Sequence, residues 1–168
     1  MKENSRKNIG YFRAEAVGLD AIRSTSSVHV PVVLAIGTDR GASFLILSHI
    51  DEGRKTKSGM ESLGRGLAMM HLAETAAFTG NGKYGFTQDN YIGAGFQKNA
   101  TRESWVDFFA ECRLIPQLEK ASGYFNKEDR RRFAAFMERL PSLLAEPGTL
   151  QCHLARCSID VRTNGNDE

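Results

Sequence analysis

The chain is poor in the features that would send it to a membrane, a nucleic acid or a secreted scaffold. Its 168 residues carry no apolar run approaching the roughly 20 residues a bilayer span needs. Met1 to Asn8 is charged and polar with no apolar stretch behind it, so no secretory leader is expected. Three cysteines, an odd number, make a poor disulfide framework and point to reduced thiols and a cytoplasmic location. A net charge of +2, spread along the chain, leaves no footprint for nucleic acid. The one basic cluster, Arg130 to Arg132, reads as the solvated face of a helix. Four paired metal ligands are missing as well: Cys152, His153 and Cys157 are three at best in an unpatterned segment, so no metal site is expected.

What is present fits one compact fold, with ordinary apolar (41%) and charged (25%) fractions. A domain of this size buries roughly 70% of its extended-chain surface. Ile9, Phe12, Ala16, Leu19 and Ile22 recur at helical spacing and leave Glu15 beside the buried stripe, where a carboxylate wants a cation. Val30–Ile36 and Ser43–Ile50 are β-branched and aliphatic runs joined by Thr38-Asp39-Arg40-Gly41, which predicts an antiparallel hairpin of two buried strands. A polar connector, Asp51 to Gly59, separates strand-forming from helix-forming sequence. Met60, Leu63, Leu67, Met70 and Leu72 predict a mostly buried helix running through Phe78, with Gly64 and Gly66 marking close packing. Trp105, Phe108, Phe109, Cys112, Ile115 and Leu118 predict one amphipathic helix. Asn126 with Asp129 reads as the N-cap of a last helix carrying Phe133, Phe136, Met137, Leu140, Leu143 and Leu144 and stopping near Pro147-Gly148. The order is that of an α+β protein, a small sheet with one helix and then a helical part.

Between the helical patterns, Lys83 to Ala100 is too rich in glycine and turn residues to be helical. Tyr84, Phe86, Tyr91, Ile92 and Phe96 give it apolar anchors that disordered segments lack, so an ordered, site-like loop is expected.

This stretch resembles the fructosamine (ketosamine) kinases, whose loop reads FGF, DN, IG and Q-x-N, followed by W-x-x-FF, R-L and QL. The matching residues here are Tyr84, Gly85, Phe86, Asp89, Asn90, Ile92, Gly93, Gln97, Asn99, Trp105, Phe108, Phe109, Arg113, Leu114, Gln117 and Leu118. The resemblance implies a protein-kinase-like fold, here a partial N-terminal lobe over 1–50, a partial helical lobe over 51–148 and a divergent tail over 149–168. It also implies ATP with Mg²⁺, and transfer of phosphate to the sugar of a glycated amine. By the same resemblance Lys2 is the phosphate-holding strand lysine and Glu15 its helix partner, and Ser48, His49 and Ile50 form the adenine-contacting segment. Gln97, Asn99 and Trp105 border the sugar-amine pocket, although Asn99 can equally satisfy loop backbone groups. His71 of the L-A-x-x-H pattern reads as a hydrogen-bonded packing histidine.

The family's catalytic His-Gly-Asp segment does not occur in this sequence, no glycine-rich turn precedes Lys2, and Asp160 lacks the flanking residues of a catalytic base. No catalytic residue is therefore assigned. A truncated, inactive kinase relative is the expectation, with a change of reading frame near Pro147 as one origin and a homodimer as one way to cover exposed apolar surface. A non-catalytic module that binds ketosamines or a partner chain is the alternative.

Overall fold

The computed structural model describes residues 2–5, 9–73, 76–79, 84–93 and 95–144. The expected stop at Pro147-Gly148, and Lys83, Cys152, His153, Cys157 and Asp160, lie outside them.

Three antiparallel strands form the larger sheet: β1 (Lys2–Ser5), β2 (Val33–Asp39) and β3 (Ala42–Leu47), in the order β1-β3-β2. The hairpin turn between β2 and β3 puts Arg40 and Gly41 at φ of 45° and 87°, a left-handed pair that matches the twist of the strands it joins. β3 is central and alternates, with Ser43 and Leu45 fully buried. The expectation that both hairpin strands are buried fails for β2. It is an edge strand with a register irregularity between Val33 and Ala35, and Leu34 is 62% exposed.

Helix α1 (Ile9–Ser24) packs on β2 and β3 through a buried face of Phe12, Ala16, Gly18, Ala21 and Ile22. Ala21 and Ile22 join Met70 and Phe86 in one core cluster, flanked by Val17, Val28, Val30 and Phe78. Met70 belongs to α2 (Lys57–Leu72), capped by the Thr56 hydroxyl, which accepts from the Gly59 N–H. Here the expected core stripe is wrong: Met60, Leu63, Leu67 and Leu72 are exposed, while Gly66 and Met70 are buried. A backbone contact decides the orientation. A Cβ at Gly66 would lie 2.6 Å from the Ser27 carbonyl oxygen, so only glycine lets α2 come this close, and the Met/Leu stripe is turned outward. Gly64, by contrast, has nothing within 4 Å of such an atom. The helix also stops at Leu72, and α3 (Ala76–Thr79) is a separate short turn carrying Phe78.

The single helix expected over 105–118 is three pieces: α4 (Trp105–Phe109), a π-helical turn (Ala110–Leu114) and α5 (Ile115–Lys120). Pro116 supplies the reason. It has no N–H for the carbonyl of Cys112, and its ring would crowd that carbonyl in a regular α-helix. The wide turn makes room, and the Cys112 oxygen accepts from the Arg113 guanidinium at 2.9 Å instead.

A 3-10 turn (Ser122–Tyr124) leads to α6 (Lys127–Leu143). Its start is as expected: Asn126 and Asp129 form a reciprocal capping box. Of its apolar positions only Leu140 is buried. Arg131 and Arg132 pair with Glu128 on the outer surface, whereas Arg130 turns back to the carbonyls of Ser122 and Phe125. Among the described residues no helix is long and apolar enough to cross a membrane.

Candidate functional site

The loop after α3 does two jobs at once. Tyr84 is buried with Phe108 and Cys112, with Trp105 and Ala100 against them, while Phe86, two residues on, belongs to the α1–α2 cluster. In an extended chain these two side chains would share a side. Gly85, at φ of 120°, breaks that alternation; a Cβ there would meet Phe108 at 3.1 Å and the Asn99 carbonyl at 3.2 Å. One glycine thus divides the loop's aromatics between two cores.

Backbone bonds between Tyr84 and Arg102 at 2.7 and 2.9 Å close the loop at its base. Within it, β4 (Asn90–Ile92) and β5 (Gly95–Gln97) form a small antiparallel hairpin, an element the glycine content conceals. The side chains across it are buried and bonded: Gln97 donates through Nε2 to Asn90 Oδ1 at 2.8 Å. Asn99, also buried, donates its backbone N–H to Asp89 Oδ1 at 2.8 Å and its side-chain amide to the Gln88 carbonyl at 2.9 Å.

Arg113 completes the support. Its guanidinium lies 4.5 Å above the Phe108 ring and donates to the Lys98 carbonyl at 3.0 Å and to Asn99 Oδ1. The planar fork can reach both acceptors while stacking on the ring, which an ammonium could not do. Arg113 stands on the π turn, so the distortion around Pro116 aims the residue that grips the loop. The pattern match included Arg113 but attached no role to it; a proline inside an otherwise helical period was the available signal.

Nearby, Arg102 donates through Nε to Glu111 Oε2 at 2.8 Å, and this bond holds the guanidinium pKa above its ordinary value. Cys112 is buried with its thiol toward the Ala100 carbonyl, 3.4 Å away. Burial pushes its pKa up, and the charges of Arg102 and Arg113 pull it down by less.

Trp105 is half-buried, with ring centroids 5.8 Å from Tyr84, 5.9 Å from Phe108 and 5.7 Å from Phe109. Gln97, Asn99 and Trp105 therefore gather around one loop. The amides of Gln97 and Asn99 support it from within, and Trp105 lies along its edge.

On the sheet side, Lys2 of β1 and Glu15 of α1 form an ion pair, thirteen residues apart in sequence. Lys2 is 53% and Glu15 33% exposed, so the pair adds little to stability; what it fixes is where a cation stands beside the sheet. Ser48, just after β3, exchanges two bonds with Val32, its N–H donating to the carbonyl and its hydroxyl accepting from the N–H, each at 2.8 Å. His49 is exposed, 3.2 Å from Asp51, and Ile50 is half-buried. His71 Nδ1 is buried with no hydrogen-bond partner among the described residues, unlike the bonded packing histidine expected there. A shallow apolar groove of about 230 Å³ between α5 and α6, lined by Leu118, Phe125 and Phe133 among others, touches none of the expected site residues.

A family model for fructosamine kinase matches residues 1–154. The chain belongs to the fructosamine kinase family. The family match runs past Pro147, the point where the motif resemblance fades. A ketoamine kinase relative from Synechocystis sp. is 37% identical over 72% of this chain and 39% of its own length. A chloroplastic protein-ribulosamine 3-kinase of Oryza sativa subsp. japonica is 38% identical over 98% of this chain and 48% of its own length. A crystal structure of a fructosamine-3-kinase assigned from Thermobifida fusca superposes with a TM-score of 0.65 at 34% identity, covering 82% of this chain and 45% of that one. The chain thus spans under half the length of these fructosamine kinase relatives. Its mixed α+β architecture, with a small antiparallel sheet, one helix and then a helical part, is part of the kinase-like fold of this family.

Proposed function

We propose that this chain carries the nucleotide-side sheet and the sugar-side loop of a ketosamine kinase, an enzyme that moves the γ-phosphate of ATP to a sugar hydroxyl of a glycated protein amine. In this reading Lys2 holds the nucleotide phosphates, Glu15 orients Lys2, and the backbone at Ser48, His49 and Ile50 meets the adenine. Trp105 covers a face of the sugar, and Gln97 and Asn99 shape the loop beside it. The observation that carries the reading is the Lys2–Glu15 pair between a sheet strand and the helix packed on it, in a chain of this family. ATP supplies the phosphoryl group. Lys2 is a suitable cation for its phosphates, but among the described residues no three carboxylate, imidazole or thiol groups converge on a metal-sized point, so no role here is given to Mg²⁺.

The chemistry of the pair decides the test. An ammonium held by a carboxylate meets phosphate oxygens already oriented, and losing a charge-assisted bond costs about tenfold in affinity. Titration of the purified chain with a fluorescent ATP analogue should give about that loss for both Lys2→Met and Glu15→Gln. Unchanged affinity in both variants would remove the nucleotide assignment. The binding-module alternative has no observation of its own in favour, since the loop amides that would reach a ligand already hold the loop together.

A further inference from the structure

The β4–β5 hairpin leans on the first turn of α1, a contact the sequence patterns do not announce. The Tyr11 and Tyr91 rings stack with centroids 3.8 Å apart and planes 21° apart, and Phe96 closes on Tyr91 edge-on at 5.8 Å. A Cβ at Gly10 would lie 3.1 Å from the Tyr91 hydroxyl, so the helix start is fitted to that ring as well. Tyr11 precedes Glu15 by four residues and shares its face of α1, one turn away. A path therefore runs from the hairpin through the Tyr91–Tyr11 stack, along one turn of the α1 backbone, to Glu15 and its ion pair with Lys2. The last link is the compliant one. Lys2 is half-exposed and Glu15 one-third exposed, so burial locks neither partner of the pair.

We propose that Tyr91 is a positioning residue: by stacking on Tyr11 it sets the pose of α1 and so holds Glu15 against Lys2, tying the loop on the sugar side to the cation on the nucleotide side. What the two ends bind rests on the kinase reading above; the mechanical link does not.

The readout is the acetylation rate of the Lys2 amine in the full chain, followed by peptide mass spectrometry with exposed Lys127 as internal reference. Tyr91→Ala should raise the Lys2 rate about two- to tenfold, the range to which the coupling energy of an aromatic pair converts, and Tyr91→Phe should leave it unchanged. In a Glu15→Gln background the Tyr91→Ala increment should vanish, which a merely structural loosening would not produce. An unchanged rate in folded Tyr91→Ala, or an equal increment without Glu15, overturns the proposal. If Tyr91→Ala fails to fold, Gly10→Ala takes its place. It should raise the rate by crowding the Tyr91 hydroxyl, and adding Tyr91→Phe, which deletes that hydroxyl, should restore it; no rise, or no restoration, overturns the proposal. A further arm with MgATP separates the two readings: lack of Lys2 protection counts against the nucleotide assignment alone, because the Tyr91 increment is measured without nucleotide.

Discussion

At the scale of single residues, Cys112 is the group whose chemistry the fold alters most plainly. Its raised pKa means that the unfolded chain releases the thiol proton more readily than the folded one. The contribution to stability is therefore fully present below the ordinary thiol pKa of about 8.5 and is lost as pH rises through the higher folded value. Urea midpoints should fall more between neutral pH and pH 10 for the natural chain than for Cys112→Ala; equal falls would contradict the assignment. Native Cys112 should also react with iodoacetamide at least about tenfold more slowly than in urea. Residue identities at the candidate site were legible in the sequence as a motif series, and Gln97, Asn99 and Trp105 do collect around one loop. Their contacts were not legible, because Asn90, Gln88 and Arg113 become partners only through loop geometry. Tyr11 and Tyr91 carried no periodic or motif signal for each other at all.

At the scale of elements, helix ends were easier to read than helix faces. The Asn126 and Asp129 box could be seen in sequence because capping is local chemistry, three residues wide. Replacing Asn126 with Ala should cost about 1 kcal/mol of helix stability, seen as roughly fivefold faster amide exchange in the first turns of α6. Unaltered exchange there would count against the cap. Faces are set by what a helix meets, and α2 shows the consequence. Its Met/Leu period is genuine, yet the contact of Gly66 with the Ser27 carbonyl chooses a different side to bury. Periodicity likewise smoothed over Pro116, whose missing N–H splits the 105–120 helix. β2 reads as buried from its aliphatic run and lies at an edge, since strand order in a sheet is a long-range property.

At the scale of the whole molecule, the helix, hairpin, connector and helical part expected from the sequence occur in that order, and the family model matches residues 1–154. Catalysis is a separate matter from fold. No His-Gly-Asp segment, the stretch to which the family resemblance would give the general base of phosphoryl transfer, occurs in these 168 residues. The purified chain incubated with ATP and fructosyl-lysine should release no more ADP than a protein-free control; turnover above that level would show that another carboxylate serves. Trp105 gives the molecule one more property. It is the only indole in the chain, and it sits against Tyr84 at the base of the loop. Excited at the red edge of its absorption, where the four tyrosines do not absorb, the chain emits from one known address, and a change in colour or brightness reports the seating of that loop with no dye attached.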